Sequence, residues 1–148
     1  MFIFNHLCGV ILLIRGRGIS RGSGHGQLLV SPAPISFLSG VDPATGIIVE
    51  KGHPRQGACI AGRVLAFPYG KGSTVGSYVL YALSRNGHAP AAIVNLEAEP
   101  IIATGAIISE IPMIDRIDVP LGRLQEGTAV RVNGDTGEME YDGSLSGA

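Results

Sequence analysis

Two helical stretches set among short apolar runs constrain this chain most. Val75, Tyr78, Val79, Ala82 and Leu83 recur at i, i+3, i+4, i+7 and i+8 within Ser73–Arg85, the spacing of one helix face. Ser73 is placed to cap that helix and Asn86-Gly87 to stop it. Before it stands Ala61–Phe67, ending at Pro68, and after it Ala91–Asn95. Both runs are short and apolar, as buried strands are. Pro100 suits the first turn of a second, almost wholly apolar helix reaching about Ser109, and Pro112–Asp115 returns as a strand. Parallel strands need a long crossover, usually a helix. The expected architecture is therefore α/β with a central β-α-β-α-β unit.

Shorter strands and turns flank that unit. Gly16, Gly18, Gly22, Gly24 and Gly26 punctuate one segment, and Gln27–Ser31 then reads as a strand. Asp42-Pro43-Ala44-Thr45-Gly46 signals a turn, Gly46–Glu50 a short strand and His53–Gly57 a further loop. Thr128–Val132 and Glu138–Tyr141 form a closing hairpin around Asn133-Gly134. The length of 148 residues suits one domain, and 45% hydrophobic residues supply its core. That single domain is expected over residues 15–142, with a frayed tail at 143–148. Residues 1–14 are apolar but too short for a membrane span of about 20 residues. They read either as an extension from an upstream start codon or, over Val10–Ile14, as a first strand, and carry no assigned function.

Composition excludes several functions. A net charge of −1 with 5% aromatics and no Trp leaves no basic stripe for phosphates and few rings for base stacking, so nucleic-acid binding is not expected. Cys8 and Cys59 form neither a disulfide framework nor a C-x-x-C pair, and their spacing to His6 and His53 matches no zinc or cluster signature. No metal ligands are assigned here; a metal centre, if used, would be held mostly by another chain. Free thiols fit a cytoplasmic protein.

Pro68-Tyr-Gly-Lys-Gly-Ser-Thr-Val-Gly76, between a strand and a helix, carries the chemistry. Its glycines permit a sharp turn and close approach to a ligand, and a helix N-terminus favours anions. It is not a P-loop, because Gly72 separates Lys71 from Ser73. A nucleotide G-x-G-x-x-G also fails, since Val75 stands at its third glycine. Two readings of Ser73 remain open on the loop alone: a helix cap, or a reactive hydroxyl whose anion is held by oriented amides.

Ile35-Ser-Phe-Leu-Ser-Gly-Val-Asp42, Ile60-Ala-Gly-Arg-Val-Leu65, Gly70-Lys-Gly-Ser-Thr-Val-Gly-Ser-Tyr-Val-Leu-Tyr81 and Glu99-Pro-Ile-Ile-Ala-Thr-Gly-Ala-Ile-Ile108 with Ile111-Pro112 together resemble the small subunit of the aconitase X family. The resemblance runs from about Arg15 to Tyr141. It implies a swivelling β/β/α domain that closes over an active site shared with a larger subunit. That partner would hold an iron–sulfur cluster, expected as 4Fe–4S, acting as Lewis acid on the departing hydroxyl. The implied reaction is dehydration of (R)-5-phosphomevalonate to trans-anhydromevalonate 5-phosphate, in a modified mevalonate route to isoprenoids. Ser73 would be the proton acceptor. Lys71, Gly72, Thr74, Gly40 and Asp42 would bind substrate, although Asp42 equally suits an Asx turn before Pro43 and Lys71 a solvated loop.

The same family's other implied activity is dehydration of cis-3-hydroxy-L-proline. A regulatory module, or a phosphohistidine carrier suggested by His88, are rivals from other classes. In the register set by Ile111-Pro112 the carrier's histidine position falls on Ile101, which cannot carry phosphate. Glu97 and Glu99 read as loop and helix start rather than an acid–base pair.

Overall fold

The β-α-β-α-β unit is present, with its strands parallel and in register from Val64↔Ala92 to Phe67↔Asn95 and from Ile93↔Met113 to Val94↔Ile114. The computed structural model describes residues 2–6 and 9–147. Its strands are β1 (Phe2–His6), β2 (Gly9–Arg15), β3 (Arg17–Ser20), β4 (Ser23–Val30), β5 (Ile35–Ser36), β6 (Val64–Phe67), β7 (Gly70–Lys71), β8 (Ala92–Asn95), β9 (Met113–Asp115), β10 (Ala129–Asn133) and β11 (Glu138–Asp142). The helices are α1 (Gly76–Arg85) and α2 (Pro100–Ile108). Among the described residues a nine-stranded sheet runs β1-β2-β11-β10-β4-β6-β8-β9-β3, and β5 pairs with β7 apart from it.

Strand β4 divides the molecule into layers. Its first half pairs antiparallel with β10, from Ser23↔Asn133 to Gln27↔Ala129, and its second half pairs parallel with β6, from Leu28↔Val64 to Val30↔Ala66. One strand thus belongs to two half-sheets that lie over each other. Side chains alternate along the parallel strands. Val64, Ala66, Ala92, Val94 and Ile114 meet Leu12, Ile14, Val130, Val132, Met139 and Tyr141 of the antiparallel layer. Leu65, Phe67, Ile93 and Met113 face Leu80 and Leu83 of α1 and Ile102 and Ala106 of α2. The order of layers is β/β/α.

The glycine-rich stretch at 16–26 is mostly strand, β3 and the start of β4, interrupted at Gly16 and at Arg21-Gly22. A Cβ on Gly26 would stand 2.6 Å from the carbonyl oxygen of Gly62, and one on Gly24 closer still to that of Ala91. Glycine is required there because the strand passes against neighbouring backbone. Gly46–Glu50, in contrast, forms no strand, only the isolated bridges Val41↔Ile48 and Ile47↔Cys59 within a series of turns.

Helix α1 starts two residues later than expected, with Val75 rather than Ser73 at the N-cap position. Val75, without a side-chain cap, precedes Gly76, while the Val75 N–H donates to Ser73 Oγ at 3.1 Å. The Ser73 hydroxyl closes its own local turn and does not cap the helix. Pro100 does open α2, where the Glu99 carboxylate accepts from the N–H groups of Ile101 and Ile102. Gly105 allows the helices to touch, since a Cβ there would lie 2.8 Å from Leu80 Cδ1.

Gly9–Arg15 pairs with β11, and Ile14 is fully buried. Cys8 lies outside the described residues. Where fraying was expected at 143–148, the Tyr141 hydroxyl donates to the Ser144 carbonyl, and Ser146 N–H donates to that of Arg123. No helix among the described residues is long and apolar enough to cross a membrane.

Candidate active site

Ligands of open α/β sheets bind outside the carboxyl ends of the parallel strands. Two long connections leave those ends here, one from β4 and one from β6, and β5 and β7 join them through Ile35↔Gly70 and Ser36↔Lys71. Phe37 anchors the first connection with its ring tilted against Phe67, centroids 6.0 Å apart. The second is fixed from below, because the Pro68 carbonyl accepts from the N–H groups of Leu96 and Glu97.

Between the two connections lies an open cavity of about 380 Å³, lined by Ser36, Leu38, Ser39, Gly40, Glu50, Lys71 and Gly72. Gly72 adopts φ 106°, and a Cβ there would stand 2.8 Å from Ser36 Oγ. The Ser36 hydroxyl donates to the Leu38 carbonyl at 2.8 Å. Gly40 is packed against backbone: a Cβ there would collide with the Ser36 carbonyl oxygen and stand 3.2 Å from Glu50 Oε1. Lys71 Nζ stands 3.3 Å from Glu50 Oε2.

The residues singled out from sequence divide accordingly. Gly40, Lys71 and Gly72 line the cavity, and Ser73 and Thr74 follow on the exposed loop beside it. Gly76 N–H donates to the Ser73 carbonyl and Ser77 N–H to that of Thr74, so the first amides of α1 are already engaged. The free-amide anion site expected at this helix start is therefore narrower than the sequence suggested. Asp42 does not reach the cavity; its carboxylate accepts from the Ala44 N–H at 3.0 Å, the Asx turn. Ser36, Leu38 and Glu50 were missed. Ser36 lies inside a stretch already singled out, whereas Glu50 had no spacing signal, being 21 residues from its lysine partner.

Charge around the β8–α2 loop braces the second connection. Asp115, fully buried, accepts two bonds from the Arg17 guanidinium and one from the Ala98 N–H. Arg116 binds Glu97 with both arms of its fork, which lowers the Glu97 carboxyl below its ordinary value and raises the arginine. Glu97 and Glu99 are thus committed to a brace and a helix cap. His88 follows the far end of α1, away from the cavity. A larger hollow of about 630 Å³ opens at that opposite end, between Ile19–Gly22, Ile107, Glu110 and Asp135.

Known proteins are similar to this chain over most of its length. The family profile described as the aconitase X swivel domain matches residues 13–141. The chain is similar to the phosphomevalonate dehydratase small subunit of Methanosarcina acetivorans, 56% identical over 132 residues that cover 88% of this chain and 92% of that protein. The subunit of the same name from Thermococcus gammatolerans is 56% identical, over 86% of this chain and 95% of that protein. Among solved structures, holo-form aconitase X of Thermococcus kodakaraensis superposes with a TM-score of 0.84 at 52% identity, covering 88% of this chain and 98% of that one. A solution structure of a UPF0107 protein gives 0.82 at 45% identity, covering 89% and 100%.

Proposed function

As the chain belongs to the aconitase X swivel-domain family, we propose that it is the small subunit of a phosphomevalonate dehydratase, a hydro-lyase of a modified mevalonate pathway. The observation that carries this reading is the 56% identity along nearly the whole of small subunits bearing that name. The substrate of the reading is (R)-5-phosphomevalonate and the product trans-anhydromevalonate 5-phosphate.

Ser73 is the proton acceptor in this reading. A serine oxygen is basic enough to take a proton from carbon only when its anion is held and kept dry. The Val75 N–H already donates to Ser73 Oγ, and that bond becomes charge-assisted once the hydroxyl is ionised. Lys71 supplies a positive charge two residues away, with Gly72 letting substrate approach the backbone and Thr74 adding a hydroxyl. Ser73 is exposed in this chain, so the dry condition has to come from closure against the larger subunit.

An iron–sulfur cluster does not fit this chain's own residues. Among the described residues no three of His, Cys, Asp and Glu converge on a metal position, and the exposed Cys59 thiol donates to the Thr45 carbonyl. The reading places the cluster on the larger subunit.

The test is anaerobic co-purification with the larger subunit, followed by turnover of (R)-5-phosphomevalonate. Ser73→Ala should abolish turnover and leave the complex intact. Retention of a tenth of the wild-type kcat would remove Ser73 as the base, and turnover of cis-3-hydroxy-L-proline in place of the phosphate ester would overturn the substrate.

A further inference from the structure

Lys71 reaches the cavity from β7, and its ammonium is met there by a carboxylate from a different part of the chain. Glu50 is held by more than this contact. Val49 N–H donates to the Gly40 carbonyl at 2.9 Å, and the Glu50 carbonyl accepts from His53 N–H. The His53 ring is buried and bonded to the Pro34 carbonyl and the Arg55 N–H, which ties the Glu50 turn to the connection carrying β5. Gly40 packs on the Ser36 carbonyl with Glu50 Oε1 beside it, 3.2 Å from where a Cβ would stand. A half-exposed ion pair adds little to stability, so stability does not explain a carboxylate built into this wall.

From this geometry we infer that Glu50 is a positioning residue: it holds Lys71 extended into the cavity, ready for an anionic group of the substrate. An ammonium has three donors, and Glu50 occupies one. Two remain for a phosphate or carboxylate. A lysine stem is long and loses rotamer freedom when a ligand fixes it. Glu50 imposes that order beforehand, at the entrance to the Gly72–Ser73 loop. The inference rests on the dehydratase reading for its substrate, but not for its geometry.

Two opposite effects of removing Glu50 make the idea testable. If Glu50 only neutralises Lys71, Glu50→Ala frees a cation and lowers KM. If Glu50 positions Lys71, the same variant raises KM by about three- to tenfold, the cost of immobilising one long side chain on binding, with kcat changed less. In a Lys71→Met background the effect should vanish. Glu50→Gln, which keeps shape and an acceptor, should fall between and serves if the alanine variant does not fold. A lowered or unchanged KM, or an equal effect in the Lys71→Met background, overturns the inference.

A second arm needs no substrate. Inorganic phosphate titrated into the full-length chain should shift the Lys71 ammonium nitrogen in nitrogen-15 NMR, about three- to tenfold more weakly in Glu50→Ala. No phosphate response at Lys71, or equal affinity in the variant, overturns it. A wild-type complex inert toward phosphomevalonate would defeat the dehydratase reading, while this arm would still decide the role of Glu50.

Discussion

Gly72→Ala separates the shape of the active loop from the stability of the fold. Alanine at this position must carry φ 106°, which costs an L-residue about 1–2 kcal/mol. Its Cβ would stand 2.8 Å from Ser36 Oγ, the end of a side chain that can turn away. Turning forfeits the bond to the Leu38 carbonyl, about 1 kcal/mol more. The total of about 2–3 kcal/mol falls on a loop held near its tip by the Val75 N–H to Ser73 Oγ and Gly76 N–H to Ser73 carbonyl bonds. The loop therefore rearranges before the sheet is disturbed. A displacement of one ångström at a catalytic group costs on the order of 100-fold in rate, so kcat/KM should fall by at least about that factor. The melting temperature should stay within about 3 °C, since surface loops open locally at little global cost. Ser36→Ala alone forfeits only that bond, without the strained φ, and should cost about fivefold at most. The assays are steady-state turnover of the two-subunit complex and thermal unfolding of this chain. A Gly72→Ala enzyme within threefold of wild type would refute the reasoning, as would an activity loss matched by a large fall in melting temperature.

Gly105→Val forces a side chain between the helices, where a Cβ already meets Leu80 Cδ1 at 2.8 Å and Ser77 Cα at 3.0 Å. Overpacking there should destabilise by about 1–3 kcal/mol, seen as a lower urea midpoint at unchanged slope, and an unchanged midpoint would contradict the close helix contact. Glu97 makes stability depend on pH in a defined direction. Its bond to Arg116 holds the folded carboxyl below 4.5, so the stabilisation is fully present above pH 4.5 and lost as pH falls through the lowered folded value. Glu97→Gln should flatten that acid limb in denaturation curves taken across pH 3–6; an identical limb in both proteins would remove Glu97 as its source.

Local patterns were readable where local physics decides. The period of Val75–Leu83, the apolar runs on either side and Pro100 each point to the element they form, because burial on one or both faces writes itself into spacing. The Gly70–Gly76 stretch is likewise legible from its glycine spacing between a strand and a helix. Gly24 and Gly26 misled, since a glycine needed for a close backbone crossing looks the same as one needed for a turn. Ser73 misled in part: a hydroxyl before a helix can bond two residues on rather than cap the first turn. Glu50 was invisible because its meeting with Lys71 depends on how two long connections lie against each other. Asp42 showed both of its readings from the outset, and only its bond to Ala44 separates them.

The sharing of β4 between two half-sheets has a consequence for how the chain is made. Its second half finds β6 within a few dozen residues, but residues 23–27 wait for 129–133 to be synthesised. At about 5–20 residues per second, that leaves the apolar underside of the parallel strands uncovered for several seconds on the ribosome. Val64, Ala66, Ala92, Val94 and Ile114 are the surface at risk, and β10 and β11 are its cover. A layered architecture whose early strands pair with late ones has a high contact order, and such chains fold slowly for their size.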